Sequence, residues 1–122
     1  MIVHFLNGND LSVQHHYEQK EYRNDIFIEI DGCYYEVYFF TQSSLEHEMR
    51  KEGFLSLPGI IILDEIKNDL IFLAITDLLE RGWFNYFMGH TEMSLNRTFA
   101  NRWYDVYGPE FDLSEVNSVK IK

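Results

Sequence analysis

Asp25-Ile26-Phe27-Ile28-Glu29-Ile30-Asp31-Gly32-Cys33-Tyr34-Tyr35-Glu36-Val37-Tyr38-Phe39-Phe40-Thr41 is the stretch whose reading decides the fold of this chain. Asp31-Gly32 favours a two-residue hairpin turn, whose central residues need the positive φ that Asp tolerates and Gly adopts freely. On either side lie runs rich in β-branched and aromatic residues, which predict strands at residues 25–30 and 33–41. A two-residue turn then pairs Ile30 with Cys33, Ile28 with Tyr35 and Ile26 with Val37. Side chains alternate along a strand, so these six share one apolar face. Phe27, Glu29, Asp31, Tyr34, Glu36 and Tyr38 point the other way. That second face mixes acids and aromatics, and composition predicts a solvated sheet face carrying amphipathic tyrosines.

Working outward, residues 2–6 predict a first strand closed by the turn signal Asn7-Gly8-Asn9-Asp10. The polar stretch from there to Arg23 reads as a loop or an edge strand. After the hairpin, Ser43 and Glu46 have the spacing of a capping box, opening a helix that stops at Gly53. Leu57-Pro58-Gly59 turns the chain into an apolar run at 60–63 that suits an interior strand. Asn68 or Asp69 caps a second helix through Arg81, with Ile71, Ile75, Leu78 and Leu79 on one side and Gly82 as its left-handed end. Residues 83–88 are apolar and fit either a strand or a loop packed on the core. A third helix is predicted over 94–107, ended by Gly108-Pro109, and a last strand over 116–121. Mixed elements with an early hairpin predict an α+β fold. We expect a single domain over residues 1–122, its antiparallel-rich sheet packed against about three helices.

Charge is the other informative property. The chain carries 20 acidic and 10 basic side chains, a formal net charge of −10. That exceeds the roughly 2–8 units expected of a small soluble domain. Such a field attracts basic partners and repels nucleic acid. The basic residues scatter, the nearest to clusters being Arg50-Lys51 and Arg97 with Arg102, so no positive stripe for phosphates forms. Aromatic residues make up 16% of the chain, more than a small core needs, and surface aromatics often anchor protein interfaces. The first residues lack the basic region and long apolar run of a signal peptide, and no apolar stretch approaches a membrane span. The expected location is the cytoplasm, without membrane contact.

The residues that invite a catalytic or metal reading lack partners. Cys33 is the only cysteine and sits between Asp31 and Glu36, the wrong sign for a reactive thiolate, so a small buried residue is expected there. His15-His16 are adjacent and point apart, whereas zinc needs three or four convergent ligands. Asp64-Glu65 follow a strand, where carboxylates often serve active sites, but no metal, oxyanion hole or matched carboxylate is signalled nearby. Glycines at 53, 59 and 82 are isolated rather than grouped in a phosphate-cradling loop, and no nucleophile-elbow serine is present. The expectation is a non-enzyme with no cofactor and no metal.

Phe39-Phe40-Thr41, the helix to Gly53, Phe54-Leu55-Ser56-Leu57-Pro58-Gly59-Ile60-Ile61-Ile62, the helix over 69–81 and Gly82-Trp83-Phe84 follow in order. That succession resembles the small immunity proteins of bacterial polymorphic-toxin and contact-dependent growth inhibition systems. The resemblance covers about half of the chain and rests on pattern. It implies a cytosolic protein that binds a co-encoded toxin domain and blocks its active site or an adjacent surface. Charge independently favours a basic partner such as a nuclease. The candidate partner-binding residues are Glu29, Tyr34, Glu36 and Tyr38 on the outer hairpin face, with Asp64 and Glu65 as further candidates. The oligomeric state stays open. So do an acidic nucleic-acid mimic aimed at another protein, a small ligand-binding domain or enzyme, and a self-associating structural protein.

Overall fold

The computed structural model describes residues 1–57, 59–86, 89 and 117–121. The hairpin forms with the expected register. β2 (Tyr22–Ile30) and β3 (Cys33–Phe40) pair antiparallel through Ile30–Cys33, Ile28–Tyr35 and Ile26–Val37. Asp31 and Gly32 both take positive φ, 49° and 78°, as the turn demands. Around this hairpin a five-stranded sheet is built in the order β4-β3-β2-β1-β5. β1 (Ile2–Phe5) runs antiparallel to β2 and to β5 (Asn117–Lys120), while β4 (Ile60–Ile62) lies parallel to β3. The expected α+β class holds, with α1 (Leu11–Lys20), α2 (Gln42–Glu52) and α3 (Asn68–Glu80) among the described residues. The helix expected over 94–107 lies outside them.

Residues 11–20 form a helix rather than the expected loop or edge strand. Asp10 caps α1 by accepting the Val13 N–H at 2.9 Å. Glu21 ends it in the left-handed region at φ 62°. Tyr17 is the one buried residue of the helix, so no apolar stripe announces it in the sequence. The cap of α2 also differs from expectation. Thr41 and Ser44 form the reciprocal capping box, and Ser43 and Glu46 are exposed. Lys67 precedes α3 without a side-chain cap, so Asn68 and Asp69 are already its first turn. Residues 83–86 coil into a 3-10 turn, neither strand nor loop, that places Phe84 in the core.

The core lies on one sheet face. Val3, Phe5, Ile26, Ile28, Val37 and Phe39 from the strands meet Tyr17 of α1, Ile71 and Ile75 of α3, and Ile66 and Phe84. Each large side chain of this set adds on the order of 1.5–3 kcal/mol by leaving water. Gly59 permits the approach of β4. Its φ is 76°, and a Cβ there would fall 2.5 Å from the Glu36 carbonyl oxygen. Its own carbonyl accepts the Tyr38 N–H at 2.9 Å, which seats β4 on β3.

The opposite face is not the solvated surface that composition predicts. Phe27 is 0% exposed, Tyr34 7% and Tyr38 5%. Cys33, expected to be buried, is exposed beside the turn.

Candidate functional site

The outer hairpin residues adjoin a partly buried polar line that crosses the sheet. Glu29 Oε1 is hydrogen-bonded to His4 Nε2 at 2.9 Å, and His4 Nδ1 to Ser118 Oγ at 2.7 Å. The antiparallel registers bring these three together from β2, β1 and β5 across a sequence span of more than a hundred residues. The Tyr34 ring packs on His4 with centroids 5.6 Å apart. Glu36 is half-buried, and burial pushes the Tyr38 hydroxyl up to about 12. This line ties the edge strand β5 to the sheet and gives the centre of the face little open area. Of the candidates on it, Glu29 and Glu36 are half-buried and Tyr34 and Tyr38 are enclosed.

Asp64 and Glu65 stand differently. Ile66, 3% exposed, anchors the segment in the core, while Asp64, Glu65 and Lys67 on either side stay exposed. The fold adds two further acids that the sequence keeps apart. Lys67 Nζ lies 3.4 Å from Glu65 Oε2 and 3.9 Å from Glu18 Oε1 of α1. Glu18 and Asp69 line a shallow cleft of about 220 Å³ with Gln14, Ile66, Lys67 and Asn68. Glu18, Asp64, Glu65 and Asp69 are all exposed, and Lys67 is the cation among them. Exposed ion pairs of this kind are worth ~0–1 kcal/mol and are screened by salt. Acidic side chains outnumber the one ammonium here, which leaves the patch negative.

The position of α1 makes this patch, and sequence reading missed it. Glu18 belongs to the stretch read as a loop or edge strand, so nothing placed it beside Glu65. The available signal was Asp10 ahead of a proline- and glycine-free run, the position and residue type of an N-cap. His15 and His16 both project from α1 as exposed residues and do not converge. Among the described residues no group of three or more His, Cys, Asp or Glu is placed to hold a metal ion. No helix among them is long and apolar enough to cross a membrane.

A second opening flanks α1. It is a cleft of about 620 Å³ bounded by Leu6, Asn7 and Gly8 on one side and Ser12, Val13, His16 and Tyr17 on the other. α1 therefore stands between an acidic patch and a concave, mixed-polarity cleft. Such a layout can present charge and shape to a partner.

Comparison with protein-family models, with curated proteins and with solved structures gave no match.

Proposed function

We propose that this chain is a non-enzymatic inhibitory protein of the immunity type, acting in the bacterial cytoplasm on a co-encoded toxin domain with a basic surface. The observation that supports this reading best is the tertiary meeting of Glu18 and Glu65 at Lys67, with Asp69 lining the same cleft and Asp64 exposed next to Glu65, on a chain of net charge −10. Self-repulsion makes such an arrangement unfavourable for the fold, and a basic partner relieves it. Complementary charge speeds encounter, to about 10⁸–10⁹ per molar per second at low salt. An inhibitor that must reach a toxin before the toxin reaches its substrate gains from that speed. A nuclease cleft, built to hold phosphates, is the basic surface that fits best. Docking belongs to the Asp64–Glu65 end, because Tyr34 and Tyr38 on the hairpin are enclosed by the fold.

The test is co-expression. The C-terminal third of the protein encoded immediately upstream is induced in a test bacterium with and without this chain. Growth arrest that this chain relieves, with a one-to-one complex recovered, is the expected result. An upstream product that is harmless, or a toxicity this chain leaves untouched, overturns the immunity reading in favour of an acidic inhibitor of some other basic protein.

A further inference from the structure

The two edges of the sheet are built differently. β5 closes one side with a strand on which Ser118 and Lys120 are exposed. Polar groups and a lysine on an edge strand discourage pairing with other chains. β4 closes the other side with Ile60-Ile61-Ile62, a β-branched run with no charge in it. The ladder shows which of its backbone groups are used. Gly59 gives its carbonyl to the Tyr38 N–H, and Leu63 donates its own N–H to the Phe40 carbonyl, both at 2.9 Å. Backbone groups alternate sides along a strand, so residues 59, 61 and 63 address β3. The N–H and C=O of Ile60 and Ile62 therefore point away from the sheet, and no strand among the described residues pairs with that side. Ile61 packs against the core, whereas Ile62 is 55% exposed. Asp64 and Glu65, both exposed, follow directly after Leu63.

Resting on the inhibitor reading above, we infer that β4 is the docking edge. An extended segment of the basic partner adds to the sheet beside β4, with its lysines or arginines set against Asp64 and Glu65. In such strand addition the main-chain bonds give affinity, and the side chains along the edge give specificity. The free backbone groups, the exposed Ile62 and the two acids all lie within residues 60–65. That stretch spans at most about 20 Å, so one strand of ordinary length reaches every part of it. Lys67 lies 3.4 Å from Glu65, but an exposed pair of this kind is weak and yields to a partner's cation. A second copy of the chain is the poorer occupant, since two chains of charge −10 repel.

The experiment pans a random twelve-residue display library on the whole purified chain and measures the selected peptides against Ile62→Thr, Ile62→Lys and Ile62→Pro. The first keeps the outward N–H and a branched side chain. The second keeps the N–H but sets a positive charge on the edge, and the third removes an N–H that β3 does not use. Position 62 is exposed, and matching thermal unfolding curves establish that the fold is kept. Should the Pro variant unfold early, the Lys variant and amide exchange at Ile60 and Ile62 decide. The expected peptides carry a β-branched or aromatic run ended by Lys or Arg, and they slow exchange at both amides. They bind the Thr variant like the parent, and the Lys and Pro variants about tenfold or more weakly. Peptides that bind all variants alike overturn the inference, as do peptides without a basic end and an absence of enrichment. A parent chain that sediments as a dimer, and as a monomer with Ile62→Lys, overturns the basic occupant in favour of a second copy. The growth test separates this inference from the inhibitor reading. Full protection by Ile62→Lys overturns this edge and keeps the reading. Selected peptides that fail on Ile62→Lys, together with no protection by the parent chain, keep the edge and overturn the reading.

Discussion

Arg23 Nε lies 2.8 Å from Asp25 Oδ1, and the two side chains are 1% and 0% exposed. They stand two residues apart on β2, which holds one extra residue between Arg23 and Ile26, where the register with β3 shifts. The bulge turns both Arg23 and Ile26 toward the core side, opposite Phe39 and Val37. Arg23→Ala leaves the Asp25 carboxylate buried without its cation, and a loss of about 3–5 kcal/mol is expected. Arg23→Lys keeps the charge but cannot fork to Asp25, Gly8 and Asn9 together, and falls between the two. Urea unfolding of the three proteins measures the order. An Ala variant within the error of the parent overturns the account.

The cap of α2 separates two neighbouring serines. Ser44 Oγ accepts the Thr41 N–H at 3.0 Å, and Ser44 is buried, whereas Ser43 is exposed. Ser44→Ala is expected to lose about 0.5–2 kcal/mol in denaturant unfolding. Ser43→Ala is expected to change stability by less than about 0.5 kcal/mol. Equal effects contradict the Thr41–Ser44 box.

Two glycines with nearly the same backbone give a matched pair. Gly53 and Gly59 have φ of 82° and 76°, yet only at Gly59 does an added Cβ meet backbone, 2.5 Å from the Glu36 oxygen. Gly53→Ala therefore carries the left-handed strain alone, ~1–2 kcal/mol. Gly59→Ala adds a collision that β4 can relieve only by leaving β3, and is expected to cost more than ~3 kcal/mol. Thermal unfolding of both variants checks the difference.

Tyr38 predicts an alkaline limit. Its hydroxyl is pushed up to about 12 by burial, from an ordinary value of 10.0. The raised value means that folding favours the neutral phenol. Below pH 10 the phenol is neutral in both states and adds no pH dependence. Between pH 10 and about 12 the unfolded chain ionises first, so stability falls there by about 1.4 kcal/mol per pH unit. Tyr38→Phe is expected to flatten this part of the urea-midpoint profile, and an unchanged slope in the variant contradicts the assignment.

Charge reversal at the patch bears on the proposed function. Asp64→Lys with Glu65→Lys, both exposed, is expected to leave thermal unfolding within about 0.5 kcal/mol of the parent. Association with a basic toxin domain is expected to slow at least tenfold at low salt and to lose most of its ionic-strength dependence. Stopped-flow association at two salt concentrations reads both quantities.

Elements with a local cause were legible in the sequence. The hairpin register followed from Asp31-Gly32 and the alternation of Ile26, Ile28 and Ile30, and β4 and α3 from their apolar patterns. α1 was not legible, because one buried tyrosine in ten residues makes no stripe. Arg23 was not either. Nothing local shows that a bulge will turn an arginine inward between two aromatic rings. The candidate site divides the same way. Asp64 and Glu65 could be picked as exposed carboxylates after a strand, but their neighbour Glu18 depends on where an unforeseen helix lies. The outer hairpin residues alternated as read, yet alternation fixes only the side of the sheet and says nothing about what covers it.

The strand order also sets a timetable for synthesis. β1 has its two sheet neighbours at very different distances along the chain: Val3 faces Ile28 on one side and Val119 on the other. The β1–β2 pairing can close early, while the β1–β5 pairing waits until residues 117–120 have left the ribosome. Until then β1 is an open sheet edge, and His4 lacks its bond to Ser118. The nascent chain is thus most vulnerable to strand pairing with other chains just before β5 arrives.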